Sequence, residues 1–173
     1  MTFPSRNTHP QLIKSQVLSG SQAAALRELS AEIEIVVRSE EFERLVKLYG
    51  WNTAYGHCAV ASCALQVLAW VAHSVYVDTY NAVCPADAQF SHWFVRDPTG
   101  ELLLDPTRYQ FDARENGSDE LVQFYEVAVR KGHPSRRKKA PYYTNSPPVT
   151  YVIEVVSSRL GFADAFQNNK SLS

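Results

Sequence analysis

Residues 58–72 read Cys-Ala-Val-Ala-Ser-Cys-Ala-Leu-Gln-Val-Leu-Ala-Trp-Val-Ala, a run that is apolar nearly all round and rich in alanine and leucine. A helix of this kind has no face to give to water, so the rest of the chain must enclose it on every side. The run is shorter than the ~20 residues that a membrane span needs. It is therefore expected to be the central helix of a folded domain. The 173 residues suffice for one domain with a real core and are few for two. Hydrophobic residues at 45% and charged residues at 20% are the balance of a folded soluble chain.

The enclosing elements can be read along the chain. Residues 1–20 are polar, carry Pro4 and Pro10, and are expected to form a flexible N-terminal arm. Ala24, Leu26, Leu29, Ile33, Val36 and Val37 recur at three- and four-residue steps and predict an amphipathic helix over 21–38. Ser39 followed by Glu40 and Glu41 is a second helix start, a capping hydroxyl with acids in the first turn. Phe42, Leu45, Val46 and Tyr49 give that helix its apolar face, and Gly50 ends it. The runs near 75–83, 90–96, 101–105 and 149–156 read as strands. Leu121, Phe124, Tyr125 and Ala128 share a face of a helix over 119–131. The expectation is an α+β fold: one domain over 21–166, a buried helix carrying Cys58 at its N-terminus against a mostly antiparallel sheet, and a frayed tail over 167–173.

The net charge of -1, from 17 basic and 18 acidic residues, points to no polyanionic partner and no membrane surface. The opening Met1-Thr2-Phe3-Pro4-Ser5-Arg6 lacks the apolar core of a secretory signal, so a cytoplasmic location is expected. Three cysteines, at 58, 63 and 84, are too few and too unevenly placed for a disulfide framework.

A cysteine can instead be a nucleophile, given a base to take its proton and a group to hold the base. Cys58 stands where the buried helix is expected to begin, and helix N-termini favour a thiolate. Asp97-Pro98-Thr99-Gly100 suits a type I turn. If that turn joins two strands symmetrically, Arg96 faces Glu101 and His92 faces Asp105. Directly opposed residues have Cβ atoms ~5 Å apart, within reach of a carboxylate-imidazole bond. His92, Phe94 and Arg96 then share one face of the strand, and Trp93 and Val95 the other.

The three segments together resemble the transglutaminase-like branch of the papain-like thiol enzymes. Gly56-His57-Cys58 opens the helix, His92-Trp93-Phe94-Val95 forms a strand, and Leu104-Asp105-Pro106-Thr107 ends the next. The chain is also similar to small phage and bacterial proteins that continue as Asp105-Pro106-Thr107-Arg108-Tyr109-Gln110-Phe111 does here. The resemblance implies a papain-like fold and a triad of Cys58, His92 and Asp105. It implies thiol-dependent acyl chemistry through a thioester: hydrolysis of an amide or peptide, deamidation, or acyl transfer. Asn52 occupies the place of the oxyanion-donating glutamine of the papain branch, paired with the Cys58 backbone N–H, and Trp51 and Tyr55 are candidate cleft walls. The substrate expected is a protein or peptide, or a small amide or ester. No cofactor, metal or calcium is implied, and the location would be the host cytoplasm if the protein is phage-encoded.

Other readings compete. Cys58 could be a small core residue, His92 a sheet histidine with its ring satisfied, and Asp105 a turn cap. Cys63 and Trp93 read as packing. His57 is expected to be a pocket wall or solvent-exposed. The cysteines and histidines offer no zinc-like spacing. Arg136, Arg137, Lys138 and Lys139, in a basic loop over 130–148, could contact phosphate or a partner, although a solvated loop explains them as well. An adaptor built on the same scaffold would bind a protein or, less in keeping with the neutral total charge, nucleic acid through 130–139.

Overall fold

The computed structural model describes residues 17–50, 53–83, 91–112, 114, 116–130 and 146–163. Most of the N-terminal arm, the tail, Cys84 and all but Arg130 and Ser146–Pro148 of the basic loop lie outside the described residues. Within them the fold is α+β, with five helices and one three-stranded antiparallel sheet.

Helix α1 (Gly20–Val37) starts at a capping box: the Ser19 hydroxyl accepts from the Gln22 N–H, and the Gln22 side chain accepts from the Ser19 N–H. It buries Leu26, Leu29, Ile33, Val36 and Val37. Ser39 joins α1 to α2 (Glu40–Leu48), since its hydroxyl donates to the Val36 carbonyl at 2.7 Å and accepts from the Phe42 N–H at 3.2 Å. Gly50, at φ 68°, turns the chain just beyond α2, in a region that favours glycine.

Helix α3 (Thr53–His73) is the enclosed element. Its Val60, Ala61, Cys63, Ala64, Leu65, Val67, Leu68 and Ala69 lie in the main core. It packs on α1, on α5 (Pro147–Arg159) and on strand β2 (Ser91–Arg96). The helix begins five residues before Cys58, which corrects the expected start. The full helix also exceeds the sequence reading in length: the stretch Gly56–His73 is long and apolar enough to cross a membrane by length and composition, but most of it is buried within the fold.

The sheet order is β1 (Asp78–Val83), β2, β3 (Leu103–Leu104), and alternation gives its two faces to different neighbours. Val95 and Leu104 join the main core beside α3, and Trp93 joins Cys58 and Ala59. Phe94, Ala82 and Phe111 meet Leu121 and Tyr125 of α4 (Gly117–Arg130) on the other side. The start of α4 lies against the 3-10 turn Arg108–Phe111. A Cβ at Gly117 would run into the Phe111 carbonyl oxygen, so no other residue fits there without a shift.

The expected hairpin register is off by two residues. The Asp97–Gly100 turn forms, with the Gly100 N–H on the Asp97 carbonyl at 3.0 Å. Asp97 and Leu102, in place of Arg96 and Glu101, close the loop: Asp97 Oδ1 accepts from the Leu102 N–H at 2.8 Å, and the Asp97 N–H donates to the Leu102 carbonyl at 3.1 Å. Arg96 consequently faces Leu103, not Glu101. A slip of two preserves which face each side chain occupies, whereas a slip of one would have reversed it.

The expected strand over 149–156 is a helix, α5. Its β-branched valines suggested a strand, but Val149, Val152, Ile153 and Val156 are buried at helical spacing, and proline stands in the first turn, where its missing N–H costs nothing. The expected strand near 75–83 begins at Asp78, and the one over 101–105 shrinks to Leu103–Leu104.

Candidate active site

His92 projects from β2 into the α4 face of the sheet and is 1% exposed. Its ring stands edge-on to Phe111, with centroids 4.9 Å apart, and lies over Phe94. Nε2 lies 2.6 Å from Asp105 Oδ2. The two residues meet although they are not directly opposed, because the two-residue slip leaves them as diagonal neighbours on one face, still within side-chain reach.

Asp105 follows β3, and its carboxylate is tied at both oxygens. Oδ1 accepts from the Thr107 N–H at 2.9 Å and the Thr107 hydroxyl at 3.0 Å. Oδ2 accepts from the Tyr125 hydroxyl at 2.8 Å as well as from His92. Burial opposes ionisation of Asp105, but the bond and charge of His92, then Tyr125 and Thr107, outweigh it and hold the carboxyl below its ordinary range. An ionised carboxylate only accepts, so His92 Nε2 carries the hydrogen toward it.

Cys58 lies near enough to act on the pKa of this ring, and with Nε2 engaged by Asp105 the nitrogen left to face the sulfur is Nδ1. Burial works against the imidazolium; hydrogen bonds and charge from Asp105 and Cys58 overcome it and raise His92 to about 9. Cys58 is 2% exposed and packs on Trp93 and Ala59. The structure thus buries Cys58, His92 and Asp105, joins His92 to Asp105 directly and leaves Cys58 near enough to act on His92.

The support expected from the helix end is weaker than the sequence suggested. Cys58 stands five residues into α3, about 7.5 Å along the axis at 1.5 Å per residue. The field of a helix end fades within the first turn. The Cys58 N–H also faces the carbonyl four residues back, so it is not a free oxyanion donor as expected. The unpaired N–H groups of α3 are those of its first four residues. Asn52 and Trp51 lie outside the described residues, as do Arg136, Arg137, Lys138 and Lys139; of Tyr55 only its backbone, in α3, is described.

His57 is buried, not solvent-exposed. Its ring meets Phe42 edge-on at 5.0 Å, and Nδ1 lies 3.3 Å from the Tyr109 hydroxyl, while Nε2 has no hydrogen-bond partner among the described residues. Burial lowers its pKa against the opposing charge of Glu43. Burial likewise pushes Tyr109 up to about 12, so its hydroxyl stays protonated beside His57. Cys63 is buried in the core, and desolvation followed by the nearby Cys58 pushes its thiol up to about 12.

Sequence reasoning missed Tyr125 as a partner of Asp105. The available signal was a phenol on the apolar face of a helix, since a buried tyrosine hydroxyl must find a polar partner. Among the described residues no three histidine, cysteine or acidic side chains gather as a metal site. No family model, curated protein or solved structure matches the chain.

Proposed function

We propose that this protein carries out thiol-dependent acyl chemistry on a papain-like, transglutaminase-like scaffold, with Cys58 as nucleophile, His92 as its base and Asp105 holding the base. The observation that carries the reading is the buried 2.6 Å bond between His92 Nε2 and Asp105, beside a Cys58 near enough to act on the same ring. The raised pKa of His92 supports it, because an imidazolium stable to about 9 can hold a proton taken from the sulfur.

The steps follow from that order of groups. His92 Nδ1 takes the Cys58 proton, and Asp105 stabilises the resulting imidazolium. The Cys58 sulfur attacks the carbonyl carbon of an amide, ester or thioester, and the carbonyl π electrons move to oxygen. As the tetrahedral intermediate collapses, His92 protonates the departing amine, alcohol or thiol and a thioester remains on Cys58. Water attack, with His92 now as base, gives hydrolysis or deamidation; amine attack gives acyl transfer. The substrate class that fits is a protein or peptide carbonyl.

An activated ester tests this without knowledge of the natural substrate. With 4-nitrophenyl acetate, the expected result is a burst of nitrophenolate and an acetyl adduct on Cys58 by peptide mass spectrometry, absent in Cys58→Ala and slowed in His92→Ala. No adduct, or equal labelling of Cys63, would remove the support for an enzyme and leave a binding role on the same scaffold.

A further inference from the structure

His92 and Tyr125 both donate to a single oxygen, Asp105 Oδ2, at 2.6 and 2.8 Å. We infer that Tyr125 is a positioning residue of the site, setting the strength of the His92–Asp105 bond by sharing its acceptor. The inference rests on the reading of His92 and Asp105 as base and holder.

Two features isolate this role. First, the carboxylate does not need Tyr125 to stay in place: Oδ1 is fixed by the backbone and hydroxyl of Thr107 in the same turn. Second, the ring and the hydroxyl of Tyr125 have separate tasks. The ring packs edge-on against Phe94 at 5.0 Å, while the hydroxyl reaches Asp105. A second donor draws charge from Oδ2 and so weakens what that oxygen offers to the imidazolium. Tyr125 cannot readily become the anion itself, because burial and then the charge and hydrogen bond of Asp105 push its pKa upward. The phenol therefore stays a donor.

The ionisable groups around this bond come from every side of it. Cys58 of α3 and Asp105 act on His92, while Asp105, Arg108 and Arg96 act on Tyr125. Arg96 and Arg108 oppose the rise in Tyr125, so neither supplies the donor's persistence.

The test is an NMR titration of the His92 ring in a Cys58→Ala background, where the imidazole titrates without its sulfur partner. Tyr125→Phe keeps the ring and removes only the donor. The His92 midpoint is expected to rise by about half a pH unit, a threefold change in proton affinity. Incorporating a fluorinated tyrosine at 125, which donates more strongly, should shift it the opposite way without altering the packing. An unchanged midpoint in both variants, or a fall in Tyr125→Phe, overturns the inference. Failure of the underlying reading looks different: in Asp105→Asn, the same titration would then show no fall in the His92 midpoint.

Discussion

Replacing Asp105 by asparagine and by alanine should separate its structural role from its chemical one. The carboxylate accepts four hydrogen bonds, from the Thr107 N–H, the Thr107 hydroxyl, the Tyr125 hydroxyl and His92. Alanine leaves all four buried donors without an acceptor and removes the partner of a buried imidazolium; breaking such a pair costs about 3–5 kcal/mol. Asparagine keeps more. Its oxygen can still serve Thr107, the Tyr125 hydroxyl can rotate to accept from the amide, and His92 can accept there too by moving its hydrogen from Nε2 to Nδ1. The stability cost of Asn should therefore be about 1–2 kcal/mol, one or two exchanged hydrogen bonds. Chemically the same tautomer is ruinous, because Nδ1 then presents a hydrogen to Cys58 instead of a lone pair. In a triad with a wrong-tautomer histidine the loss is on the order of 10⁴ in rate, a magnitude taken from serine enzymes. Urea unfolding at neutral pH gives the first quantity, and the rate of Cys58 acylation by 4-nitrophenyl acetate the second. The reasoning is refuted if Asn destabilises as much as Ala, or if the Asn variant keeps a rate within tenfold of wild type.

Two further outcomes follow from the buried groups. His92 is raised in the folded state to about 9 from 6.5, so its contribution to stability is complete below about pH 6.5 and is lost as the pH climbs through 9. In a Cys58→Ala background, where the ring trades no proton with a thiol, the stability gap between His92 and His92→Gln, measured by urea unfolding, should shrink as the pH climbs over that interval, and a gap that widens with pH would contradict the assignment. Asp105 behaves with the opposite sign: its folded pKa is lowered, so its contribution is present above the ordinary carboxylate range and fades only as the pH falls through the folded value. In α5, Ile153→Ala should cost about 2–5 kcal/mol, since Ile153 is buried at 2% exposure, whereas Val122→Ala on the exposed side of α4 should stay within about 0.5 kcal/mol in the same unfolding assay.

Much of the helical frame was legible because its signals are local. Ser39 with Glu40 and Glu41 marks a helix start from side-chain chemistry alone, and the three- and four-residue spacing of Leu26, Leu29 and Ile33 marks a buried face. Two failures have one origin, in which a local preference gave way to a wider pattern. Val149, Val152 and Val156 favour strands as individual residues, but their spacing suits a helix, and enclosing α3 decides for the spacing. The Asp97–Gly100 turn formed, but the buried Asp97 side chain captures the Leu102 N–H and makes Asp97 and Leu102 the pair that closes the loop, a side-chain contact that the turn residues alone do not encode. The meeting of His92 and Asp105 survived that error because the slip preserved the sheet face. Tyr125, twenty residues beyond Asp105, could not be placed without knowing that α4 folds onto the same face. The start of α3 at Thr53 was hidden because nothing in the apolar run itself sets where the helix begins.

The central claim is that His92 activates Cys58, and the pH dependence of alkylation measures it most directly. Iodoacetamide labelling would be followed by peptide mass spectrometry in wild type and His92→Ala. Cys63, buried and raised to about 12, serves as the internal reference for a thiol that packing keeps inert. The account predicts that Cys58 reacts below the ~8.5 at which a free thiol ionises, well ahead of Cys63, and that this low-pH reactivity disappears in His92→Ala. A Cys58 as slow as Cys63, or one whose profile is the same with and without His92, would contradict it.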